Sequence, residues 1–186
     1  HDNFLPHPRH KGVFQNLDIP YPSTYANSEE NYRGKPHWLR KARNSWVGVD
    51  GCLAVPGGFQ KLYRGYCEAV LAVDDSIGLI RRELQSLGLA EDTLLIYLGD
   101  NGYLHGEHGL IDKRCMYEPS IRIPLMMECP RYISSGARSI PQMALNIDLA
   151  PTILDYAGIA APSSMQGRSL LPLMRGENAA WRNEFL

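Results

Sequence analysis

The sequence predicts an α/β fold that this chain contains only in part. A long amphipathic helix at 61–87 precedes a short apolar strand at 94–98, and a further strand and helix are predicted at 121–128 and 148–157. A helix followed by strand, loop, strand and helix is typical of α/β proteins. These strands are too few to close a sheet, so we expect additional chain to complete it.

The long helix is predicted from its periodicity. Apolar residues recur at three- and four-residue steps, which is the helical period. These residues are Leu62, Tyr66, Val70, Val73, Ile77, Ile80, Leu84 and Leu87. Gly88 stands where a left-handed glycine commonly ends a helix.

The first strand is the short apolar run from Leu94 to Leu98. A run of this length without polar alternation predicts a buried strand of a parallel sheet. Asp100 follows at the carboxyl end, where open α/β sheets bind their ligands. A third strand is expected at 142–145. Asp148 is the predicted N-cap of the last helix, and Gly158 is its predicted terminator.

Residues 1–60 are rich in proline and glycine and have little periodicity. A stretch of this length without regular structure is unusual inside a compact domain. We therefore predict a loop-rich segment over 1–60 that carries active-site or substrate-binding loops, and a scaffold over 61–186.

Composition excludes several classes of protein. The net charge of −1 creates no overall attraction to nucleic acid or to an anionic membrane. The longest apolar run is far shorter than a membrane span. The four cysteines follow no metal-binding spacing, so they are expected to be small buried side chains.

The window from Gly99 to Lys113 carries the candidate chemistry. Asp100 and Asn101 supply two hard oxygen donors directly after a predicted strand, which suits Ca²⁺ or Mg²⁺. Taken alone, Asn-Gly is also a common turn dipeptide. Lys113 either points back to the same cleft, where its ammonium would hold an anionic ester oxygen, or is a solvated surface lysine. His105 and His108 match no zinc spacing, and structural hydrogen bonding is the favoured role for both.

Several motifs together resemble the sulfatases of the alkaline-phosphatase superfamily. The strongest is Gly99-Asp-Asn-Gly-x-x-x-Gly-Glu-His-Gly-x-x-Asp-Lys113, which resembles the second sulfatase signature. Four further segments agree in order and spacing: Tyr66–Gly78, Tyr117–Leu125, Asp148–Leu154 and Met165–Leu170. The resemblance covers most of residues 60–175. It implies a sandwich with a mixed sheet flanked by helices, of which 61–186 would be the C-terminal part of the catalytic domain.

Carried over to matching positions, the resemblance implies that Asp100 and Asn101 are two of the Ca²⁺ ligands, with Ca²⁺ favoured over Mg²⁺. Lys113 matches the lysine that contacts the substrate sulfate. His1 resembles the histidine that donates to the sulfate or the leaving oxygen, although Asn3 stands where proline is more usual. Asp148 is expected to be structural. A secreted, periplasmic or lysosomal location is also implied.

The loop-rich segment resembles that of sulfatases acting on sulfated glycans, the N-acetylglucosamine-6-sulfatase and iduronate-2-sulfatase branch. The residues that carry this likeness are Gly34-Lys35-Pro36-x-Trp38 and Arg43-Asn44-Ser45-Trp46. Their aromatic and arginine side chains either contact sugars or pack the loop, and the sequence leaves both interpretations open.

One part of the family pattern is missing. Sulfatases make their formylglycine nucleophile from Cys or Ser in Cys/Ser-x-Pro/Ala-x-Arg, and none of Cys52, Cys67, Cys115 and Cys129 stands in that motif. We therefore expect the nucleophile and two further metal ligands in an N-terminal half of the same domain, and no turnover by this chain alone. A phosphodiesterase or phosphonate hydrolase of the same superfamily, and a non-catalytic binding module, are the alternatives.

Overall fold

The structure is a computed structural model that describes residues 4–133 and 136–185. Its helices are α1 (Glu29–Tyr32), α2 (His37–Ala42), α3 (Val49–Cys52), α4 (Gly58–Ser86), α5 (Glu118–Ile121), α6 (Leu149–Tyr156) and α7 (Leu171–Met174). Its strands are β1 (Leu95–Leu98), β2 (Leu104–His105), β3 (Ile111–Asp112) and β4 (Leu125–Glu128). None of the helices within the described ranges combines the length and the apolar character needed to cross a membrane.

Two compact units divide the chain. The first unit contains the residues up to Arg81 together with Leu98–Leu125, and the second contains Arg82–Tyr97 together with the residues from Met126 onward. The predicted boundary between 1–60 and 61–186 is not tested by this division and stays a prediction.

The prediction of a long amphipathic helix is confirmed by α4, which is followed by Gly88 with a φ of 67°. Its apolar stripe is not fully covered within the described part of the chain. Val70 and Val73 are each 39% exposed, and Ile80 is 49% exposed. A well-formed helix in a globular protein normally buries this stripe.

The polar edge of α4 holds the loop-rich segment in place. The buried Glu68 carboxylate accepts hydrogen bonds from the backbone N–H groups of Gly12 and Phe14, at 2.9 and 3.3 Å. The amide of Gln60 both donates to the Ile19 carbonyl and accepts from its N–H. Side chains of α4 thus satisfy backbone groups of the loop-rich segment. The segment is therefore held in place although it has little secondary structure of its own.

The predicted first strand is confirmed as β1, but its residues are only half buried. Among the residues that the structure describes, β1 pairs only with β4 in a two-stranded sheet, although its apolar sequence suits a strand with neighbours on both sides. This agrees with the expectation of an incomplete α/β sheet.

Two other strand predictions are corrected. The strand predicted at 121–128 begins only at Leu125, because Pro119 starts the short helix α5 at Glu118–Ile121. No strand forms at 142–145. There the Met143 carbonyl accepts a hydrogen bond from the Trp181 indole, and the Leu145 N–H donates to Asp148, so side chains replace a neighbouring strand.

The last predicted helix is confirmed as α6, and Gly158 follows it with a φ of 72°. Asp148 stands at the predicted N-cap position of α6, but its side chain makes no capping hydrogen bond to that helix and accepts the Leu145 N–H at the start of the preceding 3-10 turn, Asn146–Asp148. Asp148 is fully buried instead, where it pairs with Arg182 and accepts the N–H of Arg168. Its expected structural role is therefore confirmed.

All four cysteines are free thiols, and the expectation that they are buried holds only for Cys129. Cys129 is buried, whereas Cys52, Cys67 and Cys115 are half buried. Burial raises the pKa of the Cys129 thiol, which keeps it protonated and unreactive at neutral pH.

Candidate functional site

The turn that follows β1 is held in place by the segment around α5. The Gly99 N–H donates to the Pro124 carbonyl at 3.2 Å, and the Gly102 N–H donates to the Ser120 carbonyl at 3.0 Å. A Cβ atom at Gly102 would lie 2.1 Å from the Pro119 carbonyl oxygen, so only glycine fits there. The Tyr117–Leu125 motif therefore acts as the support on which the Asp100–Asn101 turn is built.

Asn101 and Lys113 are brought together across this turn. The Lys113 ammonium donates to Asn101 Oδ1 at 2.7 Å, although the two residues are twelve positions apart. The Asp100 carboxylate accepts the Asn101 N–H at 2.9 Å and is otherwise exposed. A carboxylate, an amide oxygen and an ammonium thus share one exposed edge at the end of β1.

A short hairpin places Lys113. β2 and β3 are antiparallel, with Leu104 opposite Asp112 and His105 opposite Ile111. Leu104 and Ile111 are completely buried and anchor the hairpin in the core of the first unit. Asp112 has a φ of 141°, which an L-residue rarely adopts, and Lys113 follows directly. Such backbone strain persists only where surrounding contacts enforce it.

The carboxylate of Asp112 supplies one of these contacts. Its side chain is only 7% exposed and accepts a hydrogen bond from Arg114 Nη1 at 2.5 Å. The Arg114 guanidinium in turn lies 4.9 Å from the centre of the Trp46 ring. The side chains of Asp112, Arg114 and Trp46 are therefore linked by an ion pair and a cation–π contact next to Lys113.

The glycine-rich loop at 106–110 is clamped by the loop-rich segment. Tyr32 donates its hydroxyl proton to the His108 carbonyl at 3.0 Å, and the Lys35 ammonium lies 3.0 Å from His108 Nδ1. The His108 ring also stacks on Tyr117, with ring centres 4.0 Å apart. Burial and the neighbouring Lys35 charge lower the pKa of His108, which keeps its ring neutral and able to accept from Lys35.

Arg43 lies at the centre of this clamp. It is 3% exposed and forms a bidentate pair with Asp50 at 2.7 and 2.9 Å. It also donates to the Tyr25 carbonyl and to the Tyr32 hydroxyl. Arg43 is therefore loop packing, and the alternative in which it pairs with a sugar is excluded by its burial.

His105 is a buried part of the hairpin. Its ring lies 4.6–4.9 Å from the ring centres of Tyr63, Tyr66 and Tyr103. Burial lowers its pKa, so the ring is neutral, and Nε2 has no hydrogen-bond partner within the described residues. The expected structural role fits both histidines: His108 Nδ1 is bound by Lys35, and His105 bonds the Tyr103 backbone while its Nε2 has no described partner.

Of the site residues predicted from sequence, Asp100, Asn101 and Lys113 lie together, and His1 lies outside the described residues. Within the described part of the chain, no group of three or more His, Cys, Asp or Glu side chains is arranged to hold a metal ion. The donors that are present suit a hard cation, because Asn101 Oδ1 already accepts from the cationic Lys113 at 2.7 Å. Asp100 and Asn101 thus fit part of a Ca²⁺ shell.

Sequence reasoning missed the group formed by Asp112, Arg114 and Trp46. The signal that was available is the pair of charges flanking Lys113 in Asp112-Lys113-Arg114. The sequence gives no sign that Asp112 has a positive φ, because an aspartate can occur in many backbone conformations.

Comparison with known proteins adds independent information. Residues 106–186 match the family model described as N-sulphoglucosamine sulphohydrolase, C-terminal. The chain is 30% identical to the N-acetylglucosamine-6-O-sulfatase of Bacteroides thetaiotaomicron, over 98% of this chain and 42% of that protein. It is 32% identical to human N-acetylglucosamine-6-sulfatase, over 100% of this chain and 32% of that protein.

Two solved structures share the fold. One is a protein in complex with its substrate D-glucosamine-2-N,6-O-disulfate, with a TM-score of 0.82 and 28% identity over 98% of this chain and 48% of that chain. The other is the phosphonate monoester hydrolase of Silicibacter pomeroyi, with a TM-score of 0.71 and 26% identity over 90% of this chain and 34% of that chain.

The fold and the turn after β1 define a member of the alkaline-phosphatase superfamily. Within it, the chain is similar to the C-terminal region of the sulfatases. It spans less than half the length of these curated relatives, 42% and 32%. The family and fold predicted from the sequence motifs are thereby confirmed.

Proposed function

We propose that this chain forms the C-terminal part of a sulfuric ester hydrolase that cleaves sulfate esters of sulfated glycans. The observation that carries the proposal is the 2.7 Å contact between the Lys113 ammonium and Asn101 Oδ1 at the end of β1. It joins an exposed cation that suits a sulfate oxygen to an amide oxygen that suits a metal ion.

Each residue has a distinct proposed task. Asp100 and Asn101 would supply two oxygen ligands to Ca²⁺, which is favoured over Mg²⁺. Bound Ca²⁺ would neutralise sulfate oxygens and polarise a nucleophile. Lys113 would hold a sulfate oxygen and stabilise the charge that develops on it. His1 is proposed to donate to the sulfate or to the leaving oxygen.

The Asp112 backbone and its partners keep Lys113 in position. The buried Asp112 carboxylate, bound by Arg114, prevents the positive φ at residue 112 from relaxing, so Lys113 stays directed at Asn101. Holding charged groups in place before substrate binds lowers the reorganisation that the reaction requires.

The nucleophile is proposed to lie outside these 186 residues, because no cysteine in them stands in the formylglycine motif. The remaining metal ligands are proposed to lie there as well. On this proposal the N-terminal half of the domain is an obligatory partner, and the chain alone does not turn over substrate.

The proposed substrate class is sulfated glucosamine. Relatives of the chain are N-acetylglucosamine-6-sulfatases, and the structure with a TM-score of 0.82 holds D-glucosamine-2-N,6-O-disulfate as its substrate. The phosphonate monoester hydrolase, with a TM-score of 0.71, favours a phosphonate ester as the second candidate. Tetrahedral sulfate and phosphonate esters make similar demands on a cation and a metal site.

Two measurements test the proposal. In the complete protein, Lys113→Ala should lower kcat/KM for glucosamine 6-sulfate by about 10²–10³-fold, a loss typical of removing one transition-state contact. A phosphonate monoester that is cleaved faster than the sulfate would refute the sulfatase assignment. The isolated 186 residues should show no arylsulfatase activity above the Lys113→Ala variant, and measurable turnover would contradict the placement of the nucleophile.

A further inference from the structure

Arg114 presents a second fixed cation on the residue next to Lys113. Its side chain is 62% exposed, while the Asp112 carboxylate that binds it is only 7% exposed. The guanidinium carbon lies 4.9 Å from the centre of the Trp46 ring, and Trp46 is itself 60% exposed. A buried carboxylate and an aromatic face thus hold a guanidinium at the surface.

This arrangement leaves several N–H groups of the Arg114 guanidinium available to donate hydrogen bonds to a ligand. Only Nη1 of Arg114 donates to a residue in the described part of the chain, and that residue is Asp112. The other N–H groups of the guanidinium face no described acceptor. A guanidinium is planar and presents paired N–H groups that match two oxygens of a sulfate or a carboxylate.

The position relative to Lys113 points to one shared ligand. Consecutive Cα atoms are about 3.8 Å apart, so the side chains of Lys113 and Arg114 leave neighbouring points of the backbone. Both are long and exposed. Because the two cations are anchored to different partners, Lys113 to Asn101 and Arg114 to Asp112 and Trp46, we take them as candidates for two different groups of one ligand.

We propose that Arg114, backed by Trp46, is a subsite that binds a second sulfate group of the same glycan. The inference rests on the proposed sulfatase function, because it takes Lys113 as the contact of the ester that is cleaved. It makes Arg114 a residue that sets specificity for doubly sulfated over singly sulfated sugars. Trp46 restricts the guanidinium and offers the sugar an apolar face.

The test compares two ligands that differ in one sulfate. Glucosamine 6-sulfate and D-glucosamine-2-N,6-O-disulfate are titrated into a variant of the complete protein that lacks the nucleophile, so that neither is hydrolysed, and both dissociation constants are measured by NMR. The wild type should prefer the disulfate by about tenfold, the effect of one charge-assisted hydrogen-bonded contact. Arg114→Gln should bring the ratio close to one, and Arg114→Lys should retain part of it.

Arg122→Gln is the matched control, because the Arg122 side chain is 83% exposed and its one ion pair with a described residue is a long 3.9 Å contact with Glu118. It should leave the ratio at the wild-type value. Arg114→Gln could instead disturb the hairpin through Asp112. In that case both ligands would weaken in parallel, and the unchanged ratio would count against the subsite.

The outcomes separate this inference from the function beneath it. If Arg114→Gln keeps the wild-type ratio while Lys113→Gln weakens both ligands, the subsite is refuted and the proposed sulfate contact stands. If Lys113→Gln affects neither ligand, the proposed role of Lys113 is refuted whatever Arg114 does. A wild type without preference for the disulfate also overturns the subsite.

Discussion

Replacing Asp148 with asparagine tests how a buried carboxylate organises the second unit. Asp148 is completely buried and accepts the backbone N–H groups of Leu145 and Arg168, each at 2.8 Å. Both terminal nitrogens of Arg182 also donate to it, Nη2 at 2.8 Å. One side chain therefore joins the turn before α6, the segment before α7 and the C-terminal residues.

The expected loss in the free energy of unfolding follows from the hydrogen bonds and the charge that Asp148→Asn leaves without a partner. Asparagine keeps one acceptor oxygen but removes the charge that compensates Arg182, whose side chain is only 12% exposed. Breaking one side of a buried ion pair costs about 3–5 kcal/mol. Because one acceptor survives, we expect Asp148→Asn to lower the free energy of unfolding by about 3 kcal/mol.

Urea unfolding at pH 7 measures this loss. Amide hydrogen exchange at Leu145 and Arg168 reports it locally, since both N–H groups lose their carboxylate acceptor. Glu91→Gln is the control, because Glu91 lies exposed in the same unit and its neutralisation should change stability by at most about 0.5 kcal/mol. Equal stability of Asp148→Asn and the wild type, with unchanged exchange, would refute the reasoning.

The pH dependence gives a second check on Asp148. Burial alone would raise its pKa, but the hydrogen bonds from Arg182, Arg168 and Leu145 outweigh burial, and the pKa lies below its ordinary value. A lowered pKa contributes stability that is present above the unfolded pKa of about 3.9 and is lost as the pH falls through the folded pKa. The gap between wild type and Asp148→Asn should therefore narrow below about pH 4. A constant gap from neutral to strongly acidic pH would contradict the assignment.

Two further predictions concern the glycine-rich loop and its hairpin. Gly109→Ala should lower the melting temperature more than Gly34→Ala: both have a left-handed φ, at 75° and 73°, but only at Gly109 does the new Cβ meet Arg43, 2.2 Å from Nη1. Equal losses would show that the close approach to Arg43 is relieved without cost. His105→Phe should stay within about 1 kcal/mol of wild type at pH 8, because the loss of the ring's hydrogen bond with the Tyr103 backbone is offset by removal of Nε2, which is buried and has no described partner. Burial lowers the pKa of His105, so as the pH falls through about 6.5 the wild type should lose more stability than the phenylalanine variant, whose remaining loss comes from His108, with His37→Phe as the exposed control.

Local patterns explain what the sequence predicts well. The helical period predicts α4, and the apolar run predicts β1, because each signal lies within the element itself. The sequence also predicts Asp100 and Asn101 as proposed metal ligands, since they follow a strand. Their meeting with Lys113 depends on a hairpin whose register is not local, and only the resemblance to the sulfatases predicts it.

Tertiary contacts explain what the sequence does not predict. Asp148 has the sequence context of an N-cap, yet it accepts from Arg168 and Arg182, which lie twenty or more positions away. No strand forms at 142–145 because the distant Trp181 side chain binds the Met143 carbonyl and the nearby Asp148 side chain binds the Leu145 N–H. Likewise, no local sequence pattern shows that Arg43 is buried and bonded to several loop residues. The same sequence would suit an exposed arginine that binds a sugar.

The proposed metal site should be weak in this chain because its donors are few. Asp100 and Asn101 provide oxygens, but Ca²⁺ takes about six to eight ligands, and the Lys113 ammonium already binds Asn101 Oδ1. A cation that adds to this edge must displace Lys113 or share an oxygen with it. We therefore expect 1 mM Ca²⁺ to leave the melting temperature unchanged, since stabilisation by ligand requires a concentration above about Kd.

Lys113→Ala offers a sharper test of the same site. Removing the ammonium frees Asn101 Oδ1 and deletes a positive charge, so Ca²⁺ should shift the Asn101 amide resonance at lower concentration in the variant than in the wild type. Asp100→Asn combined with Lys113→Ala should abolish that gain, because the carboxylate supplies the charge that a divalent ion requires. Tight, saturable binding of micromolar Ca²⁺ by the wild-type chain would show that other residues of the chain complete the metal site. It would refute the proposal that Asp100 and Asn101 supply only part of the Ca²⁺ ligands.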